Sequence, residues 1–203
     1  MAAEADGKIR VAELFAGVGG FRLGLEGVPD PKWEGEHHPL EFGDTGFEVV
    51  WSNQWEPTPK PKRGKKRKKG KQWASEIYVE RFGEEGHTNE DIHEFTKSRE
   101  AISAIPEHDL LVGGFPCQDY SVARTISGEM GIKGEKGKLW EPIRKVISYM
   151  HLNRTRSRPE VVLLENVPRL LNSPANARGL NFTIILRNLI SLGYHVEWRV
   201  INA

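Results

Sequence analysis

The stretch Ile9-Arg10-Val11-Ala12-Glu13-Leu14-Phe15-Ala16-Gly17-Val18-Gly19-Gly20-Phe21 decides how this chain is read. Residues 9–15 alternate and then turn apolar, the pattern of a strand that runs into a core. Gly17, Gly19 and Gly20 break that pattern. Phe21–Glu26 then reads as the start of a helix, cut by Gly27 and Pro29. A strand, a glycine turn and a helix open an alternation that the rest of the chain repeats.

Working outward, Phe47–Ser52 is a second strand, His87–Ile92 a short third and Asp109–Gly113 a fourth. Val161–Glu165 is a fifth and reads as the most deeply buried. Tyr194–Ile201 alternates as a last strand. Helical spacing lies between them. It runs over Trp73–Phe82 (Ile77 and Arg81 four apart), Arg99–Ile105 ahead of Pro106, Leu139–His151 through Ile143, Ile147 and Met150, and Phe182–Leu192 ahead of Gly193. Asp30–Gly46 and Ser127–Lys138 are polar and glycine-punctuated, as loops are. Apolar strands alternating with helices predict an α/β fold with a mostly parallel sheet covered on both faces. Ligands of such sheets bind beyond the carboxyl ends of the strands. The unusual residues fall there: Gly17 and Gly19, Asn53 and Gln54, Asp91, Pro116-Cys117, and Glu165-Asn166.

A chain of 203 residues suits one domain, expected over 9–203 after a flexible start at 1–8. The formal net charge of +1 hides a block: nine basic and no acidic residues lie between Pro57 and Lys71. Prolines, glycines and like-charge repulsion keep 57–71 out of regular structure, so it reads as an inserted basic loop. A solvated loop, an import-like signal and a phosphate-binding arm all fit it. The single cysteine, Cys117, excludes an internal disulfide framework and a multi-cysteine metal site, and no metal is expected. MAAEADGKIR lacks the apolar core of a signal peptide, and no stretch is long enough to span a membrane. The chain is expected not to be secreted and to have no membrane partner. Its place is then the cytoplasm of a prokaryote or the nucleus of a eukaryote.

Five segments carry residue types suited to chemistry. Phe15-Ala16-Gly17-Val18-Gly19-Gly20 lets the backbone approach a cofactor and presents helix N–H groups, although an ordinary tight turn reads the same. Gln54-Trp55 suits a nucleoside, with the amide on ribose hydroxyls and the indole on the base. Asp91-Ile92 could read a base edge, or Asp91 could cap a helix. Gly114-Phe115-Pro116-Cys117-Gln118 pins a thiol behind a proline, and Glu165-Asn166-Val167-Pro168 ends an apolar strand in a carboxylate. Adjacent parallel strands would bring Glu165 towards Cys117, pairing a nucleophile with a group that can share a proton.

In this order the segments resemble the DNA cytosine-C5 methyltransferase family, from about Val11 to the last residue. The resemblance implies a Rossmann-like fold that binds S-adenosyl-L-methionine (AdoMet). Leu14–Phe21 is similar to the family's cofactor loop, where Phe15 packs against adenine. That likeness implicates Phe15, Ala16, Gly17, Gly19 and Gly20. Ser52-Asn53-Gln54-Trp55-Glu56 resembles the next segment, in which glutamate usually stands at the place of Gln54 and Trp55 stacks on adenine. Asp91-Ile92 resembles the segment that reads the adenine edge. Pro116 and Leu139 fall on cofactor-lining positions. Pro116-Cys117-Gln118 with Ser121 resembles the catalytic loop, and Glu165-Asn166-Val167 the catalytic Glu-Asn-Val.

The resemblance further implies methyl transfer from AdoMet to C5 of a flipped cytosine in double-stranded DNA. Cys117 would form a covalent adduct, Glu165 would assist, and Asn166 would orient Glu165 or its loop. Gln118, Ser121 and the block residues Lys60, Lys62, Arg63, Lys65 and Lys66 are the expected DNA contacts. The family continues with a Gln-x-Arg-x-Arg segment, a target-recognition region and a final Asn-bearing cofactor segment. The sequence ends before all three, so the fold is expected to be C-terminally incomplete and a second polypeptide is expected to carry target recognition. A non-catalytic AdoMet-binding or DNA-associated scaffold, or a truncated inactive fragment, is the alternative.

Overall fold

A computed structural model describes residues 7–27, 45–57, 70–115, 140–152 and 158–202. The chain divides into two compact units: residues 1–113 with 159–163, and residues 114–158 with 164–203.

The first unit holds the sheet. Its strands are β1 (Ile9–Leu14), β2 (Phe47–Asn53), β3 (His87–Thr88), β4 (Leu110–Gly114) and the first residues of β5 (Val161–Glu165), in the order β3-β2-β1-β4-β5. β1 pairs in parallel with both β2 and β4, and β2 with β3. The chain winds outward from β1 to β3 and then returns to the other side of β1. The topological switch point therefore lies between β1 and β4. Val11, Ala12, Leu14, Leu111 and Val112 are fully buried, which is why Val11-Ala12 and Leu110–Val112 are continuous apolar runs. The register slips between Val11 and Ala12, and Glu26 Oε1 accepts the Val49 N–H there.

The helices of this unit are α1 (Gly20–Glu26), α2 (Trp73–Phe82), α3 (Ile92–Phe95) and α4 (Arg99–Ala104). Phe21 and Leu25 of α1 pack on the cluster of Val11, Val49, Leu110 and Val112. Ser98 caps α4 by accepting the Ala101 N–H at 3.1 Å. Arg10 anchors the start of β1 with its guanidinium on Asp109, at 3.0 and 3.2 Å.

The second unit contains α5 (Trp140–Leu152), a 3-10 turn at Pro168–Asn172 and α6 (Leu180–Ser191). Trp140, Ile143, Ile147 and Met150 are buried along one stripe of α5, together with Val146. Arg158 donates to the carbonyls of Leu192 and Gly193 and lies 4.5 Å from the Tyr194 ring, closing the C-terminus of α6.

The alternation, the parallel sheet and every helix expected among the described residues are present. Three local expectations are corrected. The third strand stops at Thr88, because Asp91 caps α3 and draws Ile92 into a helix. β5 is not deeply buried: Val161 and Leu163 are about half exposed, since β5 is the edge strand of the sheet. α2 occupies its expected span, burying Ser75 and Tyr78 and turning Ile77 outward. Residues 194–201 form no strand. Their alternation is genuine, but no strand among the described residues pairs with them, and a hydrogen-bonded ladder is what separates a strand from an extended tail.

Candidate functional site

The glycine turn after β1 is held in an unusual conformation. Phe15 has φ 56°, the only non-glycine residue with positive φ among the described residues. A bulky residue there carries strain, and such strain concentrates at ligand sites. Ala16 donates to the Asn53 carbonyl at 3.0 Å, and Gly19 to the Ala16 carbonyl at 2.8 Å. Gly17 donates its N–H to Gln54 Oε1 at 2.8 Å. The expected cofactor residues of the first two strand ends therefore meet in this structure through a direct bond. Gly19 has φ 89°, and a Cβ there would lie 2.1 Å from the Phe82 ring. Only glycine lets α2 close against the turn.

Asn53, almost wholly buried, ties the strand ends together. Its carbonyl serves Ala16, and its amide nitrogen donates to the carbonyls of Thr88 and Glu90 at 3.3 and 3.1 Å. Gln54 N–H continues the ladder to the Thr88 carbonyl at 3.1 Å. Trp55 is half-buried. Asp91 Oδ1 accepts the His93 N–H at 2.9 Å, which makes Asp91 a helix cap. Ile92 is buried, with 4% of its surface exposed.

Behind the turn lies a polar cluster that periodicity could not reveal. Tyr78 Oη donates to Glu13 Oε2 at 3.1 Å. Arg22 pairs with Glu26 at 2.7 Å and lies 4.9 Å from the Phe82 ring. His87 is bonded by Ser52 and Ser75, each at 2.8 Å, and stacks on Tyr78. Burial pushes the Glu13 carboxyl up to about 7 against the Tyr78 hydroxyl and Arg22. Burial, and then the Glu13 charge, pushes Tyr78 up to about 12. Burial, and then the Arg22 charge, lowers His87. A glutamate one residue before the strand's end was the available signal, since a carboxylate in a buried run needs a partner.

In the second unit, Asn166 Nδ2 donates to the Phe115 carbonyl at 2.9 Å, and Asn166 Oδ1 accepts the Val167 N–H at 2.9 Å. Phe115 is buried and packs near Trp140, with ring centroids 6.5 Å apart. Glu165 is exposed at the end of β5, not enclosed as the apolar run suggested. Pro116, Cys117, Gln118, Ser121, Leu139, Lys60, Lys62, Arg63, Lys65 and Lys66 lie outside the described residues.

A parallel sheet of this order with a glycine turn at its switch point has the Rossmann-like fold of AdoMet-dependent methyltransferases. The chain belongs to the family described as C-5 cytosine-specific DNA methylase, whose sequence model matches residues 9–203. The type II methyltransferase M.Sau3AI of Staphylococcus aureus is 45% identical over 197 residues, covering 97% of this chain and 39% of that protein. M.BsuFI of Bacillus subtilis is 30% identical, covering 97% of this chain and 35% of that protein. M.HhaI of Haemophilus parahaemolyticus is 29% identical, covering 96% and 44%. The chain thus spans less than half the length of these curated relatives. No helix among the described residues is long and apolar enough to cross a membrane.

Proposed function

We propose that this chain carries the cofactor-binding and catalytic part of a DNA cytosine-C5 methyltransferase, with Cys117 as nucleophile and Glu165 as its proton-sharing partner. The single observation that carries the reading is the Asn166–Phe115 hydrogen bond of 2.9 Å. It ties the Glu165-Asn166-Val167 segment to the residue that leads into Pro116-Cys117. Family membership supplies the chemical context.

The residues present fit AdoMet. Phe15 and the glycine turn offer a close approach, Gln54 Nε2 remains available to donate to ribose oxygens, and Trp55 offers a stacking face. AdoMet would supply an electrophilic methyl group. The Cys117 thiolate would add through Sγ to C6 of cytosine, and the C5–C6 π electrons would move to C5. Glu165 would share a proton with N3 as charge develops on the ring. After methyl transfer, loss of the C5 proton and expulsion of the thiolate restore the aromatic ring and Cys117. C5 is out of reach inside a duplex, so the base must be flipped out. A second polypeptide, or a further segment, carrying the target-recognition region would provide sequence preference. Gln118, Ser121 and the lysines and arginine of the basic loop would touch DNA, the latter at phosphates, which position without specifying.

The test is covalent trapping on duplex DNA containing 5-fluorocytosine, with AdoMet and a polypeptide carrying the target-recognition region. The intact chain is expected to form the complex, Cys117→Ser none, and Glu165→Gln far less. Adduct formation by Cys117→Ser would overturn the nucleophile assignment. No complex with the intact chain would favour a non-catalytic subunit.

A further inference from the structure

The segment Gln54-Trp55-Glu56 leaves β2 and leads into the basic insertion, yet its main chain is clamped as tightly as a strand. Gln54 donates to the Thr88 carbonyl at 3.1 Å, as the last rung of the β2–β3 ladder. Asn89 Nδ2 adds a rung, donating to the Gln54 carbonyl at 2.9 Å. Gln72 reads both polar groups of Glu56: its Oε1 accepts the Glu56 N–H at 2.7 Å, and its Nε2 donates to the Glu56 carbonyl at 2.8 Å. Asn89 Nδ2 also lies 3.3 Å from Gln72 Oε1, joining the two clamps.

Gln72 occupies the N-cap position of α2, but its side chain makes no cap bond. Glu56 Oε2 takes that role instead, accepting the Ala74 N–H at 3.1 Å. The Gln72 carboxamide is therefore committed to Glu56 rather than to its own helix. Trp55 lies between two residues whose main chains are fixed from outside. A backbone held on both sides of a residue restricts where its side chain can project, and a preorganised stacking face needs less ordering when a ligand arrives.

We propose that Gln72 and Asn89 are positioning residues for the Gln54-Trp55 nucleoside platform. They hold it in place although a charged insertion separates it from α2. This inference rests on the cofactor reading above. Neither side chain touches the cofactor; both act through the main chain of residues 54–56.

The test uses the whole chain in three variants: Gln72→Ala, Gln72→Glu and Asn89→Ala. AdoMet affinity is measured by titration calorimetry, and hydrogen exchange at the Glu56 amide is followed without cofactor. Gln72→Ala is expected to raise the AdoMet Kd by about tenfold, the scale of one or two hydrogen bonds, and to speed Glu56 exchange. Gln72→Glu keeps an acceptor for the Glu56 N–H but loses the donor, so an intermediate affinity is expected. Asn89→Ala should weaken binding without speeding Glu56 exchange as much. In the reconstituted reaction the KM for AdoMet should rise with kcat unchanged. Wild-type affinity in Gln72→Ala and Asn89→Ala would overturn the inference alone. So would a loss of affinity that only tracks lowered thermal stability, with Glu56 exchange unchanged. No AdoMet binding by the unaltered chain would overturn the cofactor reading and this inference with it.

Discussion

Tyr78 Oη donates to Glu13 Oε2 at 3.1 Å, and neither residue has measurable solvent exposure. This bond joins α2 to β1 directly beneath the glycine turn. Burial there favours the neutral form of the Glu13 carboxyl, against the hydrogen bond from Tyr78. Arg22 and Glu26 of α1, Tyr78 of α2 and His87 of β3 are the ionisable groups of the cluster.

The first prediction follows from that carboxyl. Its value is raised from 4.5 to about 7, so between those limits the unfolded chain loses a proton that the folded chain keeps. The contribution of Glu13 to stability is full below 4.5 and is lost as pH rises through 7. The shift corresponds to about 3 kcal/mol at most. Glu13→Gln should be more stable than the parent chain at pH 8 and lose that advantage towards pH 5, as read by urea unfolding across the range. His87 acts in the opposite sense. Its value is lowered by burial and then by Arg22, so stability is lost as pH falls below the ordinary histidine range. That acid-side loss should persist in Glu13→Gln. A parallel pH profile for the two proteins would contradict the cluster's role.

Gly19 and Phe82 should be energetically coupled. Gly19→Ala places a Cβ against the Phe82 ring in a backbone conformation that side chains rarely adopt. A cost of about 1–3 kcal/mol is expected. Combining it with Phe82→Ala should cost less than the two changes summed, because the ring clash disappears while the backbone strain remains. Strict additivity in thermal or urea unfolding would show that the ring moves aside freely.

Gln54 should bind ribose as a donor. Its Oε1 is occupied by the Gly17 N–H, which leaves Nε2 for the ligand. Gln54→Glu keeps an acceptor for Gly17 and presents a charged oxygen to ribose hydroxyls. AdoMet affinity should rise by about tenfold, as for a charge-assisted hydrogen bond. Gln54→Ala should bind more weakly than the parent chain, because the turn loses its tie to β2. Calorimetry giving the same affinity for both variants would refute this assignment.

The basic insertion should be separable from the fold. Glu56 and Gln72, on either side of it, are joined by two hydrogen bonds, so the neck closes without the intervening residues. Deleting residues 58–69 should leave thermal unfolding unchanged. DNA binding measured at several salt concentrations should weaken, with a shallower dependence on salt, since fewer phosphates are neutralised. An unchanged salt slope would make the block a solvated loop.

Local pattern was enough to determine the α/β alternation, the glycine turn and most element spans, because strand and helix periodicities are written in neighbouring residues. The likeness of Leu14–Phe21, Pro116-Cys117-Gln118 and Glu165-Asn166-Val167 to a known family was legible for the same reason: each motif is contiguous. Only the tertiary structure decided which side chains far apart in sequence would meet. Tyr78 finds Glu13, Gln72 finds Glu56 across the basic insertion, and Asn166 finds Phe115. It also decided that Val161–Glu165 lies at an edge and that residues 194–201 join no strand among the described residues. Burial and strand pairing depend on which neighbours the fold supplies, and no short stretch of sequence contains its own neighbours.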